Sequence, residues 1–146
     1  MSNRILSYRG VLADGAQETI LLSTKKGEVG YKITKFQLFP GAPGVTGQQS
    51  IVKIYKDLQS TIDGDVNFSD NRLLAAGYFA QLISSAETTA EIAVFDNEIF
   101  NQDIFIMGID GSGGARSINY YMELEQMSLA SDEATVATLK DIRNND

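Results

Sequence analysis

The chain has no cysteine, no histidine and no tryptophan, and only two prolines. Without cysteine there are no disulfides and no thiol nucleophiles; without histidine the usual zinc ligands, Ser-His-Asp triads and imidazole acid/base chemistry are excluded as well. Few kinds of enzyme survive these absences. Carboxylate-only glycosidases remain, as do lyases built on a buried lysine. The candidate acids for glycoside hydrolysis, Asp96, Glu98, Asp103, Glu123 and Glu125, have no tryptophan beside them to stack on a sugar, and Glu123 and Glu125 read as one solvated strand face. No apolar run approaches the ~18 residues a membrane helix needs, and Met1-Ser2-Asn3-Arg4 lacks a signal-peptide pattern, so a soluble, non-membrane protein is expected.

Excess positive charge is lacking too. A net charge of −7 argues against nucleic acid as a partner, because phosphate is neutralised by Lys and Arg. The charge is unevenly placed along the chain. Residues 1–56 carry eight basic and three acidic side chains, a net of +5, which leaves −12 for the remainder. Two readings follow: scattered solvated charge once the segments interleave, or a basic patch that meets an acidic patch on a neighbouring copy.

What is present is β-structure. The 146 residues form one domain by length, large enough to bury roughly 68–70% of the unfolded surface. Strands are expected at 4–12, 17–23, 30–39, 50–57, 72–80, 90–95, 103–109 and 117–129. The last is the clearest: Ile118, Tyr120, Met122 and Leu124 alternate with Asn119, Tyr121, Glu123 and Glu125. Beyond Gln126 the phase flips, which predicts either a bulge or a passage from one packing environment to another. The run Ile104–Met107 is apolar throughout, so a central strand covered on both faces is expected there. Residues 72–83 mix the Leu and Ala of a helix with Gly77, Tyr78 and Phe79, and are read as a strand. The fold class is therefore all-β, a jelly-roll-like antiparallel β-sandwich of about eight strands over residues 1–130.

Residues 131–146 follow as a C-terminal amphipathic helix. Ser131 is a good N-cap, Asp132 and Glu133 suit the first turn, and Val136, Leu139 and Ile142 recur every three residues as a narrow apolar stripe. A helix this short is marginal alone, so it has to dock, either on its own sandwich or on a neighbour. The loop Pro40-Gly41-Ala42-Pro43-Gly44-Val45-Thr46-Gly47 holds both prolines and is expected to be exposed. Val136, Leu139, Ile142, Pro40, Pro43 and Val45 are accordingly the candidate assembly residues.

Three further motifs have ligand readings. Asp63, Asp65 and Asn67 alternate like the start of a calcium loop, with Asp70 close by, yet Phe68 and Leu74 stand where an EF-hand wants Gly and Glu. An Asp-rich turn and a non-EF calcium site are the two alternatives; no other cofactor is indicated. Gly111-Ser112-Gly113-Gly114 lacks the Lys-Ser/Thr ending of a phosphate loop and is expected to be a hairpin, as is Asp14-Gly15. The seven Phe and six Tyr read as core and interface packing.

Taken together, the segments Lys26–Ile33, Ile51–Tyr55, Ile62–Asp70, Val94–Phe105, Asn119–Glu125 and Glu133–Arg143 resemble small structural proteins of marine tailed bacteriophages, those of cyanobacteria among them. The resemblance spans most of the chain in phrases of strand and turn that contain no catalytic signature. It implies a non-enzymatic virion component, made in the host cytoplasm, with other copies of itself and other virion proteins of capsid or tail as partners. Capsid decoration or cement is the expected role. A tail, collar or baseplate component is the alternative, and a calcium- or carbohydrate-binding module for host recognition is the reading from another class.

Overall fold

The computed structural model describes residues 4–22, 29–43, 47–81, 88–95 and 97–128. The expected helix with Val136, Leu139 and Ile142, the boundary at residue 130, Val45 and Asp96 lie outside them. Within them the chain is all-β, with no helix. The strands are β1 (Arg4–Leu12), β2 (Gln17–Ile20), β3 (Val29–Pro40), β4 (Gln48–Tyr55), β5 (Leu73–Gln81), β6 (Thr88–Val94), β7 (Ile104–Asp110) and β8 (Ile118–Ser128).

They form two antiparallel sheets, one ordered β1-β8-β3 and the other β2-β7-β4-β5-β6. The pairing is nested around the β4–β5 connection: β4 with β5, β2 with β7, β1 with β8. Alternation puts one face of each sheet inside. Ile33, Phe36, Tyr120, Met122 and Leu124 from the first sheet meet Val52, Ile54, Phe79, Ile104 and Ile106 from the second in one buried cluster. The apolar run Ile104–Met107 is interior to its sheet, between β2 and β4, as its composition required. Residues 72–83 contribute strand β5. Leu74 has no partner across from Ile54 and Tyr55, and this irregularity lets Leu73, Leu74 and Ala75 all be buried.

Three expectations are corrected. Strand β8 pairs without interruption through Ser128, so it has no bulge after Gln126; the irregularity lies in its partner, between Ile33 and Lys35. There Thr34 turns out to solvent and donates its hydroxyl to the Glu123 carbonyl at 3.3 Å. Asp14-Gly15 is not a hairpin, because β1 and β2 belong to different sheets. It is a corner, with Gly15 at φ 80° donating its amide to the Gly108 carbonyl. The glycine-rich loop after β7 likewise passes between sheets. It is wound around Asp110: Oδ1 accepts from the amides of Gln49 and Ser112 and from the Ser112 hydroxyl, and Oδ2 from the Arg116 amide. Burial pushes the Asp110 pKa up, but these hydrogen bonds outweigh it and hold the carboxyl below its ordinary value.

Candidate interaction surface

The outer face of the three-stranded sheet is a charge ladder. Lys32 and Lys35 of β3 lie in register with Glu125 and Glu123 of β8. Lys32 reaches Glu125 at 4.0 Å, and Lys35 stands over the Tyr121 ring at 5.8 Å. The Tyr121 hydroxyl donates to Glu123 at 2.6 Å, and this bond to an anionic acceptor raises the phenol pKa. Antiparallel pairing thus sets basic residues of the first half of the chain beside acids of the second, a local neutralisation. It also occupies Glu123 and Glu125, two of the five carboxylates considered for glycoside chemistry.

Toward the Pro40 end the face turns apolar. Val11 and Phe39 flank Asn119, paired to it from either side, and are 54% and 62% exposed. A groove of about 700 Å³ opens here, lined by Arg9, Val11, Leu38, Phe39, Ile92 and Tyr121 among others. Its origin is unequal strand number. The first sheet stops at β3, whereas the second continues to β6, whose Ile92 pairs with Gly77 on the core-facing side and remains 41% exposed. Gly77 is needed there: a Cβ would come within 2.7 Å of Leu38 Cδ1 and 2.9 Å of Ile92 Cδ1.

Of the candidate loop residues, Pro40 and Pro43 are described, at the end of β3 that carries Phe39. Pro40 is the last residue of β3, paired with Ile118, and its carbonyl accepts from Asn119 Nδ2 at 3.3 Å. Gly41 donates its amide to Ser117, and Pro43 is exposed. Pro40 and Pro43 therefore share one end of the sheet with Val11 and Phe39, residues that the sequence reading did not select. The available signal was Phe39 falling on the polar side of the alternation in β3.

The Asp-rich segment sits elsewhere. Residues 56–72 form a strap across the outer face of the five-stranded sheet. Gln59 and Gln17 exchange amide hydrogen bonds at the β2 edge, Ile62 packs with Tyr55, Leu73, Ala76 and Met107, and Phe68 meets Phe95 edge-on at 5.1 Å. Lys53, 2% exposed beneath the strap, donates to Asp63 Oδ1 at 3.1 Å and to the Asp65 carbonyl. The Lys53 hydrogen bond lowers the Asp63 pKa. Asp70 is chelated by Arg72 through Nε and Nη2, which lowers its pKa too. Asn67 Oδ1 accepts from the Ser69 amide. Asp63 and Asp70 are thus tied to different cations, and among the described residues no group of three or more acidic side chains is placed to hold a metal ion. Nothing in the sequence pattern marked Lys53 or its neighbour Lys56, which pairs with Glu98 at 3.2 Å, as buried.

The fold and surface define an antiparallel two-sheet β-protein with an apolar groove, exposed among the described residues, at one end of its smaller sheet. Neither a described protein family nor a curated protein matches the chain in sequence. Among solved structures it is similar to a chain of Desmodium yellow mottle tymovirus, at a TM-score of 0.36 and 10% identity, over 89% of this chain and 91% of that one. At that level the likeness carries no argument about function.

Proposed function

We propose that this chain is a non-enzymatic structural protein of a tailed-phage particle, most directly a capsid decoration or cement protein. The observation that carries the reading is the exposed groove lined by Val11, Phe39 and Ile92 at the Pro40 end, an apolar surface of the kind that marks contact with another protein. The nested strand order supports it, since β1-β8, β2-β7 and β4-β5 are pairs of a jelly roll; the fourth such pair, β3 with β6, is not made, because among the described strands β3 pairs only with β8 and β6 only with β5. Jelly rolls serve in viral shells and also in lectins, so the fold alone does not choose. The polar chemistry adds to the case: Glu123, Asp63, Asp70 and Asp110 are engaged in internal bonds, as suits a scaffold. The sequence resemblance to small structural proteins of marine phages points the same way.

The test is sedimentation of the purified chain with empty capsids of its source virus, with and without chelator. Co-sedimentation that persists in chelator is the expected result. Failure to bind capsids while binding tails would move the protein to the tail, collar or baseplate. Loss of binding in chelator would replace the scaffold reading with a cation-dependent module using Asp63, Asp65, Asn67 and Asp70.

A further inference from the structure

We propose that the strap over residues 56–72 is a lid, hinged at its two feet and held down by two side-chain latches, Gln17 and Lys53, and that it lifts from the five-stranded sheet while both sheets stay paired. This opening is independent of the virion role proposed above. Every group it involves lies among the described residues.

The feet are fixed. The Lys56 amide donates to the Arg72 carbonyl at 2.9 Å, which closes the strap at its base in the manner of an Ω-loop. The Arg72 guanidinium braces the two feet together, reaching Asp57 Oδ2 at 3.6 Å and Asp70 Oδ2 at 2.9 Å. All of these bonds stay intact when the middle of the strap moves.

The middle is held differently. Among the described residues, 57–69 form no backbone-to-backbone hydrogen bond with a strand. Gln17 of β2 instead accepts from the Gln59 amide at 2.9 Å and donates to the Gln59 carbonyl at 3.0 Å, and Lys53 of β4 donates to Asp63 Oδ1 at 3.1 Å and to the Asp65 carbonyl. Apolar attachment is slight: Ile62 is the strap residue packed on Tyr55, Leu73, Ala76 and Met107, while Leu58, Val66 and Phe68 remain exposed. Few buried apolar contacts, with bonds made by side chains, mark the part of a protein that opens locally before the whole unfolds. The large cluster between the sheets, with Ile33, Ile54 and Met122, is untouched by that opening.

Lifting the lid uncovers a defined patch. Lys53 is 2% exposed with its ammonium 5.6 Å from the Tyr55 ring, and its cross-strand neighbour Met107 is fully buried. The closed strap thus shuts one amine and one thioether away from solvent. Each has a hidden counterpart elsewhere: Lys56 at the fixed foot, bonded to Glu98, and Met122 between the sheets.

The test treats the folded full-length chain with a dilute amine-acetylating reagent and, separately, with dilute hydrogen peroxide, so that each rate reports the population of the open form. Mass spectrometry of the digested protein reads each residue. Lys53 and Met107 should react at least about tenfold faster than Lys56 and Met122, and their rates should respond weakly to low urea, because little surface is exposed when the lid lifts. Gln17→Ala and Asp63→Ala each undo one latch and should speed Lys53 and Met107 by about tenfold. Ile33→Val, a mild change in the core between the sheets, should speed Lys56 and Met122 by roughly twofold to tenfold and leave Lys53 and Met107 as in the wild type. The proposal is overturned if Lys53 and Lys56 share one rate and one urea dependence, if Ile33→Val speeds all four residues alike, or if neither latch variant changes Lys53. The wild-type comparison and the Ile33→Val variant decide the question even where a latch variant fails to fold. No capsid enters the experiment, so its outcome and that of the virion reading are read separately.

Discussion

The two sheets treat their outer faces differently. On the five-stranded sheet, β4 presents Ile51, Lys53 and Tyr55 outward, and the strap covers them so well that Lys53 is 2% exposed and Met107 of the neighbouring strand is fully buried. On the three-stranded sheet the corresponding face carries Lys32, Lys35, Glu123 and Glu125 in cross-strand register, open to solvent, and ends in bare Val11 and Phe39. One face was made into a second, smaller core by the long connection between β4 and β5. The other was left as a surface, and it is there that the apolar groove lies. A charge means different things in the two places: Lys53 is fixed under the strap by Asp63 and Asp65, whereas the Lys32–Glu125 pair, at 4.0 Å and partly exposed, adds little to stability.

The strongest way to break this comparison is to truncate one residue on each face. Met107→Ala should cost about 2–5 kcal/mol in urea unfolding, because it empties a fully buried site, while Phe39→Ala should change stability by less than about 0.5 kcal/mol. Equal costs would mean that the strap does not make a core. Next comes Asp110, which joins the two sheets by holding the β7–β8 loop. Asp110→Ala leaves donors from Gln49, Ser112 and Arg116 without their acceptor and should cost about 2–3 kcal/mol, measured the same way.

Acid should separate the faces by degree. Asp63, Asp70 and Asp110 all have pKa values lowered in the folded protein, so the stability they give is present above the unfolded carboxyl value of about 4 and is lost as pH falls through their folded values. Asp57 runs the other way. Burial raises its pKa despite the nearby Arg72, so protonating it offsets part of the loss. Hydrogen exchange below pH 4 should therefore rise in the strap and the β7–β8 loop before it rises in β3 and β8; uniform loss of protection would refute the distinction.

Two smaller effects sharpen the picture. Gly77→Ala forces a methyl against Leu38 and Ile92 and should cost about 1 kcal/mol, at the low end for overpacking because the contacted atoms are the ends of flexible side chains. Ala115 lies at φ 54°, the left-handed region, in the β7–β8 loop. Ala115→Gly should raise stability by about 0.5–1 kcal/mol, seen as a small increase in melting temperature.

The sequence by itself determined the eight strands. Period-two alternation at Ile118–Leu124, the apolar run at Ile104–Met107 and the breaks at Asp14-Gly15 and Gly111–Gly114 are local signals, and burying one face of each strand is enough to place its inward residues. Tertiary structure alone decided which strands pair, that both glycine turns are crossings between sheets, and that β3 and β8 carry complementary charges side by side. It alone also buried Lys53, gathered Val11, Phe39 and Ile92 at one end, and left the smaller sheet short of a fourth strand. Side-chain period says which way a residue points relative to its own strand. It says nothing of the strand or strap that lies across from it, and the apolar groove of this protein is defined among the described residues by what lies across, or fails to.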